Sequence, residues 1–152
     1  MAGLYFEEFK PGQEFRHAWT RTLTEMDNVL FSSLTMNVQP LHIDAHFAAK
    51  TEFKRPLMNS LFTLGLLIGM TVNDTTFGTT VANLGMSEVT FPHPLFAGDT
   101  IHVRTTVLSV RESKSRPLAG IVEFEHLAFN QDEQLVARCR RAALMHKRVA
   151  HA

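Results

Sequence analysis

Between residues 59 and 73 the chain carries no charged side chain, and Leu61, Phe62, Leu64, Leu66, Leu67, Ile68, Met70 and Val72 fall on nearly every side of the helix that this stretch predicts. A helix without a polar face has to be wrapped by other structure. Its most apolar part is about 12 residues long where a membrane span needs ~20, so it reads as a buried core helix and no membrane partner is expected.

The wrapping comes from the second half of the chain. Residues 79–91, 101–111, 120–130 and 134–146 are rich in Val, Thr, Phe and Ile and mostly alternate, the pattern of long antiparallel strands. Pro92-His93-Pro94 with Ala97-Gly98-Asp99, residues 113–119, and Asn130-Gln131-Asp132 are the connections. Upstream, residues 15–21 are a short extended candidate. Thr24 with Asp27 approximates a capping box, and Met26, Val29, Leu30, Ser33 and Leu34 follow a helical stripe to about Thr35. Together these predict an α+β fold in which one antiparallel sheet curls around one apolar helix. At 152 residues the chain reads as a single domain, 1–152. Such a sheet leaves an edge or a face to bury, which predicts a homodimer or higher homo-oligomer.

Lys plus Arg and Asp plus Glu both total 15, so no global field favours nucleic acid, and none is expected as a partner. The single cysteine, Cys139, cannot close an internal disulfide, and residues 1–9 carry Glu7 and Glu8 without a long apolar stretch. Both observations fit a reducing cytoplasm and no signal peptide.

Polar chemistry concentrates in the loop Asn37-Val38-Gln39-Pro40-Leu41-His42-Ile43-Asp44, where Pro40 interrupts regular structure and Asp44 can cap a short helix over 45–50. Ser60 opens the apolar helix. Here the chain resembles the MaoC-like dehydratases and (R)-specific enoyl-CoA hydratases, whose motif runs Asp-x-Asn-Pro-x-His-x-Asp and is followed by a His-Gly step into a central helix. The resemblance spans residues 6–147. Residues 48–56 match an Ala-x-x-x-x-Phe-x-x-Pro pattern, and Phe96-Ala97-Gly98-Asp99-Thr100 resembles the family's turn before a strand. The resemblance implies a single hot-dog fold, an acyl-CoA substrate, and no cofactor beyond coenzyme A as part of that substrate.

Adding water across an enoyl thioester needs a base for the water, an acid for the α-carbon, and donors for charge on the thioester oxygen. His42 suits the first two, since an imidazole titrates near working pH. The backbone N–H of Ser60, at a helix N-terminus, suits the third, where the family uses the glycine of its His-Gly step. The chain departs from the family twice: Asn37 stands for the paired aspartate, and Asn59-Ser60 for His-Gly. Asn37 holds a water but takes no proton. Either His42 acts alone on a water positioned by Asn37, or another carboxylate such as Asp74 substitutes, or the chain binds without catalysing; the first is favoured.

Residues 35–42 with 59–64 look like the branch acting on short branched dicarboxylic acyl-CoAs of the mesaconyl, itaconyl and methylmalyl type. A second substrate carboxylate then needs a cation, and Arg55 and Arg116, both in loops beside proline, are the candidates. Gln39 and Asn59 are expected to contact substrate.

Plainer readings stand beside these. Asp44 is read as a helix cap, and Asn37 equally as a residue that ends the preceding helix. His42 and His46 flanking Asp44 have a metal-like spacing, but no further ligand cluster follows and no metal is expected. Arg138, Arg140, Arg141, Lys147 and Arg148 could meet coenzyme A phosphates but read first as a solvated strand face, as do Glu123 and Glu125. Thioester hydrolysis and non-catalytic acyl-CoA binding are the rival functions.

Overall fold

The computed structural model describes residues 3–148. Six strands, β1 (Glu14–Arg16), β2 (Arg21–Thr22), β3 (Thr80–Thr90), β4 (Thr100–Glu112), β5 (Ala119–Phe129) and β6 (Leu135–His146), pair antiparallel in the order β1-β4-β5-β6-β3, with β2 added to β4. The helices are α1 (Glu25–Leu34), α2 (Pro40–Ile43), α3 (Ala45–Ala48), α4 (Ser60–Gly69) and α5 (Val72–Thr75). The α+β architecture expected from the apolar helix and the alternating strands is the one observed.

Strand alternation decides which residues face α4. In the β4–β5 register Val103 lies opposite Ala128, Thr105 opposite His126 and Val107 opposite Phe124, so these share one face of the sheet. Where that face is apolar it forms two clusters. One packs Leu67 and Met70 of the α4 region onto Ile101, Val103, Ala128 and Val136. The other gathers Phe6, Phe9, Val107, Phe124 and Met145. Gly120 on β5 makes room for the second cluster, since a Cβ there would stand 2.2 Å from the Phe6 ring.

Between the clusters runs a buried polar seam. Arg141 Nε donates to His126 Nε2 (3.2 Å), His126 Nδ1 to Thr105 Oγ1 (2.8 Å), the Thr105 hydroxyl to His17 Nε2 (2.8 Å), and His17 Nδ1 to Asp74 Oδ2 (2.8 Å). Guanidinium only donates and carboxylate only accepts, so one direction of donation satisfies every link with both imidazoles neutral. Burial holds His126 well below the usual histidine range, and the nearby Arg141 charge acts in the same sense. Asp74 is therefore committed to His17 and does not stand in for the aspartate missing at Asn37.

Two sequence expectations change. The central helix is not wrapped on every side within one chain: Leu61 is 57% exposed, and no atom of the described residues packs above Gly65 or Gly69. On α1 the apolar stripe faces outward, with Met26 70% and Leu34 75% exposed, while Asn28 and Ser32 are buried. An apolar stripe ordinarily turns to a core. Here the inward face is polar because it holds the neighbouring loop by hydrogen bonds.

On the outer face of the sheet Arg138 and Arg140 are ion-paired with Glu125 and Glu88, as a solvated strand face requires. Among the described residues, no helix is long and apolar enough to cross a membrane.

Candidate active site

The site is assembled where α1, the loop before α2 and the start of α4 converge. Thr24 caps α1 by accepting from the Asp27 N–H (3.2 Å), and the Asp27 carboxylate accepts from the Thr24 N–H (2.8 Å), so the capping box read from the sequence forms. Pro40 occupies the first turn of α2, where its missing N–H costs nothing, and so begins a short helix as well as interrupting the chain. Asp44 caps α3 through the Phe47 N–H (2.9 Å).

His42 is half-buried, and its Nδ1 lies 2.7 Å from the Leu57 carbonyl oxygen. A carbonyl only accepts, so Nδ1 carries the proton and the neutral ring keeps its lone pair on Nε2, the state a general base needs. His42 lines a cleft of about 340 Å³ with Glu25, Asn28, Val29, Arg55 and Pro56.

Asn28 fixes this arrangement. Its Nδ2 donates to the carbonyls of His42 (2.9 Å) and Leu57 (3.0 Å), and its Oδ1 accepts from the Asn59 N–H (2.9 Å). One buried amide thus holds the His42 backbone, the irregular segment at Leu57 and the start of α4. Sequence reasoning missed Asn28 because it lies off the apolar stripe of α1; the available signal was a polar residue inside a helix, one turn before the similarly buried Ser32.

Asn59, expected to contact substrate, is the buried N-cap of α4. Its Oδ1 accepts from the Leu61 N–H (3.0 Å), its Nδ2 donates to Ser32 Oγ (3.2 Å), and the residue is 2% exposed. With Leu61 satisfied in this way, the first-turn N–H of Ser60 finds no acceptor among the described residues. Ser60 lines a second, largely apolar cleft of about 310 Å³ with Phe53, Leu57, Thr63, Phe91 and Val136. His42 and Ser60 thus line neighbouring clefts, the segment from Pro56 to Met58 contributes to the lining of both, and Asn28 binds the backbone of His42, Leu57 and Asn59.

The other candidates separate. Asn37 Oδ1 accepts from the Gln39 N–H (3.2 Å), and the Asn37 N–H reaches back to Ser32 O (2.8 Å), so Asn37 closes α1 and starts a turn. Neither Asn37 nor Gln39 lines the His42 cleft. Arg55 does, its guanidinium 3.9 Å from the centroid of the Phe96 ring. Arg116 lies in the β4–β5 hairpin, at the end of β4 remote from Ala97 in the His42 cleft, which at strand rise puts it about 40 Å away. It does not reach the site within one chain. Among the described residues no group of three His, Cys, Asp or Glu is placed to hold a metal.

An antiparallel six-stranded sheet packed against a central helix, with a histidine loop and a helix start at one end, is the hot-dog fold. The sequence matches the MaoC like domain over residues 7–128, and the chain belongs to that family. It is 31% identical over 146 residues to a beta-methylmalyl-CoA dehydratase of Chloroflexus aurantiacus, covering 96% of this chain and 41% of that protein. To a mesaconyl-CoA hydratase of Cereibacter sphaeroides it is 29% identical over 147 residues, covering 97% and 42%. A MaoC domain protein structure from Chloroflexus aurantiacus superposes with a TM-score of 0.90 at 31% identity, covering 99% of this chain and 42% of that one. A Mycobacterium tuberculosis protein described as a double hotdog fold superposes at 0.87 and 24% identity, covering 99% and 46%. The chain thus spans less than half the length of these relatives.

Proposed function

We propose that this protein hydrates, or in reverse dehydrates, a short-chain enoyl-CoA thioester, of the branched dicarboxylic class named in its relatives. The observation that carries the reading is the His42 tautomer: Nδ1 is fixed on Leu57 O, which leaves Nε2 as the base in a cleft shared with a cation, Arg55. His42 takes a proton from water and returns one to the α-carbon; the Ser60 N–H and the dipole of α4 stabilise charge on the thioester oxygen; Arg55 receives the second carboxylate. No titrating partner for His42 is needed beyond this. No cofactor enters the reaction.

A second copy of the chain completes the molecule in this reading. The methylmalyl-CoA dehydratase and the double hotdog protein are more than twice as long, and this chain leaves the Leu61–Gly65–Gly69 face of α4 and the apolar side of α1 uncovered. Both are supports for a homodimer, which sedimentation would read directly. The buried, unpaired Cys139 fits a reducing, cytoplasmic setting.

The test is turnover. Purified protein is incubated with mesaconyl-, itaconyl- and crotonyl-CoA, following both the enoyl absorbance and free thiol. Loss of the enoyl signal without thiol supports hydration. Thiol release with the enoyl intact would make the chain a thioesterase, and no change on any substrate would leave it a binding protein.

A further inference from the structure

Most cations of the chain are accounted for by position. Arg21, Arg104, Arg138, Arg140, Lys147 and Arg148 each pair with a carboxylate. Arg141 is buried against His126. Arg111, Lys114 and Arg116 belong to the far hairpin, and Lys10 and Arg16 to the β1 edge, which lines neither of the two clefts. What remains is one short segment, the loop between α3 and α4, where Lys50, Lys54 and Arg55 are exposed and form no ion pair among the described residues.

This loop is built, not slack. The Lys50 N–H donates to Phe47 O (3.0 Å), Thr51 N–H to Ala48 O (3.0 Å), Thr51 Oγ1 to the same carbonyl (2.7 Å), and Lys54 N–H to Thr51 O (3.2 Å). Neighbouring residues serve different places: Phe53 lines the Ser60 cleft and Arg55 the His42 cleft, while Lys54 between them in the chain, and Lys50, are exposed and line neither. Lys54 has φ 61°, a left-handed conformation where Gly or Asn is cheaper and a long cation brings no folding advantage. Acidic residues close by are Glu52 within the loop and Glu25, which lines the His42 cleft with Arg55. They leave the loop net positive.

We infer that Lys50 and Lys54 form the binding site for the phosphate groups of coenzyme A, outside the clefts that take its thioester. Two flexible ammonium groups suit phosphates that sit at the end of a long arm and need charge more than fixed geometry. The site rests on the reading of the substrate as a coenzyme A thioester, but not on its hydration. The strand arginines that a sequence reader would choose for these phosphates, Arg138 and Arg140, are already paired.

Calorimetric binding of coenzyme A and of pantetheine, which lacks the phosphates, tests this without turnover. The wild type is expected to bind coenzyme A at least about tenfold more tightly than pantetheine, with a preference that shrinks as salt rises. Lys50→Glu with Lys54→Glu is expected to remove that preference and leave pantetheine binding unchanged. The milder pair Lys50→Ala with Lys54→Ala covers the case that charge reversal disturbs the loop, and Arg111→Glu with Lys114→Glu, the same charge change by the remote hairpin, should have no effect. Equal binding of the two ligands by the wild type, or a preference kept in both loop variants, would overturn the site. A chain that binds coenzyme A this way but hydrates nothing overturns the hydratase reading alone; one that hydrates N-acetylcysteamine enoyl thioesters as well as the coenzyme A esters, with no phosphate preference, overturns this site alone.

Discussion

Ser60→Pro removes the proposed oxyanion donor while leaving the helix it belongs to almost untouched. Ser60 is the first residue of α4, a position proline favours because its fixed φ is helical and its N–H would lack an intrahelical partner in any case. The preceding residue must be extended, and Asn59 already has φ −61° and ψ 122°. No hydrogen bond is lost, since the Ser60 N–H has no acceptor among the described residues, and the ring points to a cleft. Stability should be neutral or rise by about 0.4–1 kcal/mol through the unfolded state, which at this size moves Tm by less than ~4 °C.

Catalysis should respond differently. Removing one preorganised donor typically costs about 10²–10³ in kcat, or about 2.7–4 kcal/mol of transition-state stabilisation. Because that charge develops only on the way to the transition state, kcat and kcat/KM should fall together, with binding of a non-reactive acyl-CoA nearly unchanged. Ser60→Ala separates the hydroxyl from the N–H, which it keeps. Steady-state hydration of an enoyl-CoA beside a thermal melt measures all of this. A Ser60→Pro protein that melts like the wild type and keeps kcat within about threefold would refute the oxyanion assignment.

Asn28→Ala strips the partner from the Asn59 N–H and the His42 carbonyl at once, and with about 1–3 kcal/mol for each buried unsatisfied group it should cost about 3 kcal/mol in all; a melt lowered by about 6–12 °C is expected, and an unchanged Tm would count against the clamp. His42→Gln should lower hydration at least about 10²-fold, with pH dependence of the residual rate lost; a variant that keeps the wild-type rate removes His42 from the mechanism. His126 is neutral in the folded protein and its pKa lies below the unfolded value, so the unfolded chain binds the extra proton. Its contribution is fully present above pH ~6.5 and is lost as pH falls toward the folded pKa, at up to about 1.4 kcal/mol per pH unit. Denaturant titrations across that window, with His126→Gln flattening the slope, are the check, and a slope identical in both proteins would refute it.

How far the sequence could be read follows from what kind of signal each part leaves. The long strands and the apolar helix are periodic, and periodicity is set by burial on one face, so β3 to β6 and α4 were legible to within a residue or so at most ends. The capping residues Thr24 and Asp44 were legible because a cap acts on its own neighbours. The site is a different matter. His42 was found through a local motif, but Asn59 and Asn37 looked available in sequence and are consumed by backbone N–H groups, and Arg116 looked equivalent to Arg55 until topology put it at the other end of β4. Asn28 could not be seen from spacing, because its three partners come from residues 42, 57 and 59.

The outward stripe of α1 is the sharpest of these misreadings, and the clamp explains it. A ten-residue helix can turn only one face inward, and on α1 that face is given to Asn28 and Ser32, which hold the His42 loop to the start of α4. Met26, Leu30 and Leu34 are then left outside by necessity. Their exposure would be a liability for an isolated chain, as contiguous apolar surface usually is. The proposed dimer would remove that conflict, because the same helix would then position the His42 loop within one copy and close against the other. If Asn28→Ala loosens the His42 loop without altering the oligomer, while Leu30→Glu with Leu34→Glu alters the oligomer without lowering Tm by the amount Asn28→Ala does, the two faces act as separately as this geometry requires.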